Sequence, residues 1–232
     1  MIKKIPFKKL IILVAILALP GFLYYLLQAK GKNRYKPLPI YGPKTVLATY
    51  QKKRGKIIPD TLYHTIKPID FINQDGAFLA FADLKRKIII VNFFYTRNQN
   101  LNATINKRLK SLYDEYKGNK IIKFVSITVD SQFDKPVVLK QYARSLKIDT
   151  KQWYFLTGDN AQVFDLAKNQ FYVNAHKVKD GDFIVSEKLI LLDAEHRIRG
   201  YYDGTSVSAI LQLSDELKVQ ITEELRKIKA EN

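Results

Sequence analysis

Four carboxamide side chains fall within five residues, directly after the apolar run 91–95, which is typical of a buried strand. In chain order they are Asn98, Gln99, Asn100 and Asn102. A strand that leads into a loop at the start of a helix is a common place for the chemistry of an α/β protein. A carboxamide has no nucleophilic form, but its oxygen can accept a hydrogen bond from a free N–H group at a helix start. We therefore expect Asn102, or Asn98, to cap a helix that begins near Ala103.

Cysteine is absent from the whole chain, and its single methionine is the initiator. This composition excludes cysteine nucleophiles and disulfides. The three histidines, His64, His176 and His196, lie in separate segments without a helical or strand spacing suited to a metal, so we expect them at the surface. No stretch resembles a phosphate-binding loop, a dinucleotide fingerprint or a nucleophile elbow. The sequence therefore names no catalytic residue and leans against an enzyme.

The net charge of +17 is concentrated at the N-terminus. Residues 1–59 hold 13 basic and no acidic residues, whereas residues 60–232 hold 26 basic and 22 acidic residues. A basic domain that binds nucleic acid carries its excess charge on the folded part. Since the folded part is nearly balanced, nucleic acid is not an expected partner.

The segment 10–27, LIILVAILALPGFLYYLL, contains eighteen residues without a charge. At 1.5 Å per residue it gives about 27 Å of helix, close to the roughly 30 Å of hydrocarbon in a bilayer, which predicts a transmembrane signal anchor. A buried core helix and a cleaved signal peptide are the alternatives, and Leu27 is a poor match at the −3 position of a cleavage site after Ala29. We therefore predict a basic tail and anchor over 1–29, an extended basic linker with several prolines over 30–64, and a folded domain over 65–232.

The folded part begins with a predicted hairpin, in which Asp75-Gly76 forms a turn between short apolar runs. The predicted elements that follow are a buried strand over 88–95, a helix ending near 118–119, a strand over 121–129, a helix over 137–146, a strand over 153–156 and a helix over 161–167. The last are strands over 183–185 and 189–192, a hairpin strand over 198–202 and a helix over 206–229. A parallel βαβ unit followed by a β-hairpin and a helix is the order of a thioredoxin-like α/β fold.

Several segments in series resemble the SCO/SenC family, membrane-anchored thioredoxin-fold proteins that help build the copper centre of cytochrome c oxidase. They are DFINQDG at 70–76, VNFFYT at 91–96, FVSITVD at 124–130, DKP at 134–136, WYFLTG at 153–158, LLD at 191–193 and IRGYY at 198–202. Together they cover about residues 66–205. The N-terminal helix and linker also fit the layout of that family.

The family resemblance implies a copper site formed by Cys-x-x-x-Cys after the F-x-T strand and a histidine before the late hairpin strand. The positions that match these ligands are Asn98, Asn102 and Glu187. Thiolates and imidazole suit copper, whereas a carboxamide is a poor ligand for Cu(I) and cannot form a disulfide. The resemblance therefore indicates a degenerate member of the family, and we expect no copper or other cofactor.

The leading hypothesis is a membrane-anchored, non-catalytic accessory or scaffold in the assembly of a respiratory oxidase or another copper protein. Its protein partner would be an oxidase subunit or an assembly factor, and its domain would lie on the periplasmic side of a bacterial-type inner membrane. One alternative is an enzyme or metal carrier with a rebuilt site at Asn98, Asn102 and Glu187. Another is an adaptor that binds anionic lipid through the basic linker, over residues 30–56.

Overall fold

The computed structural model describes residues 7–30, 37–53, 55–67, 69–179 and 181–231. The chain divides into two compact units, residues 1–36 and 37–232. The first contains helix α1, Phe7–Lys30, which includes Pro20 and exposes apolar side chains such as Leu17 and Tyr25. Among the described residues, no helix has both the length and the apolar character needed to cross a membrane. The transmembrane segment over 10–27 therefore stays a prediction.

The second unit contains eleven strands and four helices in its described ranges. The strands are β1 (Lys44–Lys53), β2 (Lys56–Tyr63), β3 (Asp70–Asn73), β4 (Phe78–Ala80), β5 (Ile88–Phe94), β6 (Ile122–Thr128), β7 (Trp153–Thr157), β8 (Ala175–Lys179), β9 (Asp182–Val185), β10 (Lys188–Leu192) and β11 (Ile198–Asp203). The helices are α2 (Gln99–Glu115), α3 (Pro136–Ser145), α4 (Asn160–Asp165) and α5 (Val207–Glu231). A short 3₁₀ turn covers Phe81–Leu84, and a π-helical turn, Leu166–Gln170, continues α4.

Seven strands form one mixed sheet in the order β11-β10-β5-β6-β7-β3-β4. The central strands β5, β6 and β7 are parallel, and β10, β11, β3 and β4 add to them in antiparallel pairs. Every residue of β5 is buried, because parallel strands at the centre of a sheet are covered on both faces. The sheet therefore brings the carboxyl ends of β5 and β6 together at one edge.

Alternate residues of β5 belong to two different hydrophobic cores. Ile90 and Phe94 face the core formed with α2, α3 and α5, whereas Val91 and Phe93 face the core formed with α4 and the π-helical turn. This alternation follows from the period of two in a strand. Buried hydrogen bonds between side chains also connect β7, β6 and β5. The indole N–H of Trp153 donates to Ser126 Oγ at 2.9 Å, and the Ser126 hydroxyl donates to Asn92 at 2.6 Å.

The predicted order of elements is confirmed from β3 to α5, with boundaries that differ by a few residues. The hairpin at Asp75-Gly76 pairs β3 with β4, and α3 begins at Pro136 as its sequence indicates. One strand was missed: β8, which contains His176, pairs with β9 in a separate two-stranded sheet.

The extended linker predicted over 30–64 requires a correction. Its second half forms an antiparallel hairpin of β1 and β2, which pair with each other and with no strand of the seven-stranded sheet in the part of the chain described. The compact second unit also begins at Pro37. The lysines and prolines of this segment suggested a flexible chain, but the β-branched and aromatic residues among them favour strands.

Candidate functional site

Asn98 is the residue that caps helix α2. The helix begins at Gln99, four residues earlier than expected, and the side-chain oxygen of Asn98 accepts a hydrogen bond from the Leu101 N–H at 3.4 Å. Such a cap stabilises a helix by about 1 kcal/mol. The predicted capping role is therefore confirmed for Asn98.

Asn102 lies inside the helix, in its first turns, and has a different role. Its side chain is 4% exposed, and its Nδ2 donates a hydrogen bond to the carbonyl oxygen of Tyr95 at the end of β5. The carboxamide thus joins the helix to the strand that precedes it. Both amides at the positions matched to the family's cysteines are engaged in hydrogen bonds within this chain.

Glu187 lies in the connection between β9 and β10 and is exposed. Its backbone carbonyl accepts a hydrogen bond from the Gly204 N–H at 2.8 Å. A Cβ atom at Gly204 would come within 3.1 Å of the side chain of Ile105, so this connection packs near helix α2. Within the described ranges, no group of three or more His, Cys, Asp or Glu residues is arranged to hold a metal ion.

A buried carboxylate, Asp134, organises the loop between β5 and α2. It accepts hydrogen bonds from the Thr96 N–H at 3.0 Å and from the hydroxyl groups of Thr96 and Thr128. Burial raises the pKa of Asp134, and the three hydrogen bonds oppose this rise. Asp134 therefore fixes the backbone just before Asn98, at the position where the family's first cysteine would stand.

Arg97 forms the other charged contact of this loop. Its guanidinium donates to Asp130 Oδ2 through Nε at 2.9 Å and Nη2 at 2.5 Å, and it lies 4.8 Å from the centre of the Phe133 ring. Asp130 is 2% exposed, so the arginine neutralises a buried carboxylate. Gly181 borders the guanidinium with a φ of +77°, and a Cβ there would lie 2.5 Å from Arg97 Nη1. Only glycine fits this position without displacing the arginine.

A cavity of about 580 Å³ lies between α2 and α3, beside Asn102. It is lined by Thr96, Gln99, Asn102, Ala103, Asn106, Lys107, Lys110, Tyr142, Ser145 and Leu146. Asn106 is 2% exposed and donates a hydrogen bond to the Tyr142 hydroxyl, while burial raises the pKa of Tyr142 to about 12. This lining offers amides, neutral hydroxyls and the ammonium groups of Lys107 and Lys110, which bind through hydrogen bonds and charge. A second cavity, of about 370 Å³, borders Arg97 and Gly181.

The histidines are only partly as expected. His176 is exposed, but His196 is 7% exposed and packs edge-on against Phe81, and burial lowers its pKa. His64 is half-buried, with its Nε2 2.9 Å from the carbonyl oxygen of Gln170. The surface prediction was therefore wrong for His196, because a turn residue with positive φ turns its ring back onto the core.

The domain that contains this strand, capped helix and pair of buried carboxylates matches a known protein family. The SCO1/SenC family model matches residues 60–218, which is well over half of the 232 residues. The chain belongs to the SCO1/SenC family. The resemblance found in the sequence is thereby confirmed.

Members of this family share both sequence and structure with the chain. The SCO1 protein homolog of Bacillus subtilis (strain 168) is 25% identical over 153 residues, which are 65% of this chain and 79% of that protein. A SCO1/SenC family lipoprotein from Bacillus anthracis str. Ames superposes with a TM-score of 0.64 and 26% identity, covering 68% of this chain and 95% of the other. These likenesses confirm the thioredoxin-like α/β fold of the SCO family.

A further structural neighbour is BsSco, a member of the Sco family of cytochrome c oxidase assembly proteins in which a disulfide switch has been identified. Its TM-score is 0.61 at 22% identity, over 68% of this chain and 94% of that protein. The present chain is thus an SCO family protein related to cytochrome c oxidase assembly proteins. It has no cysteine with which to form a disulfide.

Sequence reasoning missed the structural role of Arg97, Asp130 and Asp134 at this site. The two aspartates were seen only as part of the family resemblance, and nothing in the sequence showed that they are buried. A detectable signal was present, because an aspartate directly after a mostly apolar strand, as Asp130 is, must either face solvent or find a cation and hydrogen-bond donors.

Proposed function

We propose that this protein is a membrane-anchored SCO family member that acts without copper or redox chemistry, as an accessory in the assembly of a respiratory oxidase or another copper protein. The observation that carries the proposal is the use of Asn98 and Asn102. One amide caps α2 and the other ties α2 to Tyr95, so both serve the scaffold. Soft thiolate ligands select Cu(I), and neither amide can supply one.

Contact with another protein is the proposed mode of action. The loop that would present a copper site is held in place by Asp134 and Arg97, although its amides are not redox ligands. A shared fold without the copper ligands suits recognition of the same partners that a ligand-bearing relative would meet. An oxidase subunit or an assembly factor is the proposed partner, on the basis of family membership.

The membrane anchor is proposed from the sequence. Residues 10–27 are uncharged and would form about 27 Å of helix at 1.5 Å per residue, close to the thickness of the hydrocarbon core. We place the second unit on the outer side of a bacterial-type inner membrane by analogy with the family. Since the chain has no cysteine, Val207→Cys provides a single exposed site, and its labelling by a membrane-impermeant maleimide in whole cells tests this topology.

Copper titration of the full chain in detergent tests the absence of metal chemistry. We expect no stoichiometric binding of Cu(I) or Cu(II) by the wild type when it competes with a chromophoric chelator. The matched control is the triple variant Asn98→Cys/Asn102→Cys/Glu187→His, whose folding is checked by circular dichroism. It should bind one copper ion if these three positions match the family site. Copper bound by the wild type with sub-micromolar Kd would refute the proposal.

Recovery of partners from membranes tests the accessory role. The intact chain and the variant Asn98→Cys/Asn102→Cys are each used to isolate partners from solubilised membranes. We expect oxidase subunits or assembly factors with both proteins, because the proposed contact does not depend on thiols. Recovery with the cysteine variant alone would show that the contact requires the thiols and would contradict the proposal.

A further inference from the structure

The hairpin of β1 and β2, residues 44–63, is here called the arm. Its two strands form a sheet of their own, and apolar side chains remain exposed along it. Val46, Tyr50 and Ile57 are 60%, 65% and 68% exposed. An isolated two-stranded hairpin is marginally stable in water, and exposed apolar surface of this kind marks an interaction site. The exposed apolar side chains of the arm therefore indicate a surface that binds a partner.

The base of the arm is fixed to the domain on both sides. On the entering side, the Tyr41 N–H donates to the carbonyl oxygen of Ile198 in β11 at 2.8 Å. On the leaving side, the His64 N–H donates to the Pro43 carbonyl at 3.0 Å, and the His64 ring contacts the Gln170 carbonyl at 2.9 Å. The arm is thus held as a defined projection and not as a loose linker.

The register of the arm places its acidic residue on the face opposite Val46, Tyr50 and Ile57. It pairs Val46 with Thr61, Tyr50 with Pro59 and Lys52 with Ile57. Because directly paired residues of antiparallel strands point to the same face, Val46, Tyr50 and Ile57 share one face with Lys52. Asp60 lies between Pro59 and Thr61 and therefore points to the opposite face. The Val46–Tyr50–Ile57 face thus has no acidic side chain.

The charge of the arm favours an anionic partner. Its basic residues are Lys44, Lys52, Lys53, Arg54 and Lys56, against the single acidic residue Asp60. Four of the five fall at positions 52–56 of the sequence, and of these Lys52 is exposed on the same face as Tyr50. Apolar and aromatic side chains flanked by lysines are the composition of segments that lie at the headgroup region of membranes.

We propose that the arm lies against an anionic lipid surface, with the Val46–Tyr50–Ile57 face toward the acyl boundary and Lys52 among the phosphates. This inference rests on the proposed membrane anchor. Thirteen residues, 31–43, separate α1 from β1 in the sequence, and a chain of that length extends over at most about 45 Å. An exposed strand face without a cavity suits a lipid surface better than a shaped protein ligand.

Fluorescence quenching in vesicles tests the proposal with the full chain. Tyr50→Trp places a reporter on the arm. Phe78→Trp is the matched control, since Phe78 is 68% exposed against 65% for Tyr50 but lies on β4, an edge strand of the seven-stranded sheet. Trp153 is the only native tryptophan and is fully buried, so the wild type supplies the background. The vesicles contain nitroxide-labelled phosphatidylcholine, with or without phosphatidylglycerol.

We expect the reporter at position 50 to be quenched several-fold more than the reporter at position 78 in vesicles with phosphatidylglycerol. Adding Lys52→Gln and Lys53→Gln should weaken the surface partitioning of the arm by about fivefold per lysine at low salt. Flotation of the same vesicles reports separately on the anchor. Protein that floats with equal quenching at both positions would overturn the arm inference and leave the anchor standing.

The remaining outcomes are also decisive. Flotation only with phosphatidylglycerol, lost in high salt, would support the arm and refute the anchor. Absence of flotation with either lipid would refute both. A change in the fluorescence of the reporter at position 50 that occurs only in vesicles containing native membrane proteins would assign the arm to an acidic protein. It would overturn the lipid inference.

Discussion

Replacing Asp134 by alanine should destabilise the second unit by about 3 kcal/mol. The carboxylate is fully buried and accepts hydrogen bonds from the Thr96 N–H and from the Thr96 and Thr128 hydroxyls. An orphaned buried N–H costs about 1–3 kcal/mol, and each lost hydrogen bond costs about 1 kcal/mol. Relief of the carboxylate's desolvation offsets part of this loss. Asp134→Asn should stay within about 1 kcal/mol of the wild type, because its amide oxygen can replace Oδ2 and its amide nitrogen can donate to Thr96.

Urea unfolding followed by the fluorescence of Trp153 measures these changes, since this buried residue is the only tryptophan. The m value should stay unchanged while the midpoint falls. At about 2–4 °C per kcal/mol, the alanine variant should also melt about 6–12 °C lower. An equal loss of unfolding free energy in both variants would refute the role given to the carboxylate. So would a free energy of unfolding for Asp134→Ala within about 0.5 kcal/mol of the wild-type value.

The free energy of unfolding of the wild type and that of Asp134→Asn should depend differently on pH. Burial raises the pKa of Asp134, so the folded state binds its proton more tightly than the unfolded chain. The free energy of unfolding therefore falls as pH rises from about 4 through the folded pKa. Asp134→Asn lacks this decline, while the other carboxyl groups are common to both proteins. The wild type should gain stability relative to Asp134→Asn as pH is lowered, and a flat or opposite difference would contradict the raised pKa.

Substitutions at three further positions test the loop and the positions matched to the family's ligands. Asn98→Ala should lower the free energy of unfolding by about 1 kcal/mol, because it removes the cap of α2, and Asn98→Ser should recover most of it in the same urea assay. Arg97→Ala should cost about 3 kcal/mol, because it leaves Asp130 buried without its cation, and the double variant with Asp130→Asn should recover part of that loss. Glu187→Ala should change neither stability nor metal content measured by mass spectrometry; a loss of bound metal would instead favour a rebuilt site.

Most of the fold could be predicted from local patterns. The apolar run of β5, the periodic face of α2 and Pro136 at the start of α3 each act through near neighbours in sequence. The start of α2 was less certain because both Asn98 and Asn102 are good capping residues. In the structure, the Asn102 side chain donates a hydrogen bond to the Tyr95 carbonyl oxygen, and the Asn98 side chain caps the helix.

The arm was missed because its local signals conflict. Pro59 and the lysines indicate a linker, but Pro59 pairs with Tyr50 in a sheet of only two strands, where each strand has an unpaired edge and proline is tolerated. Its base is fixed by the Ile198 carbonyl, which lies far away in sequence. Long-range contacts of this kind are not encoded in a local pattern.

The sequence by itself predicted, through its resemblance to the SCO/SenC family, that Asn98, Asn102 and Glu187 fall at the positions of copper ligands, and it determined that the chain contains no thiol. Ligand chemistry is a property of residue identity, and it can be read without coordinates. Only the tertiary structure decided that one amide caps α2 while the other bonds to Tyr95, and that Asp134 is buried where it accepts hydrogen bonds from Thr96 and Thr128. Hydrogen bonding and desolvation depend on which groups the fold brings together, and those groups come from separate strands and helices.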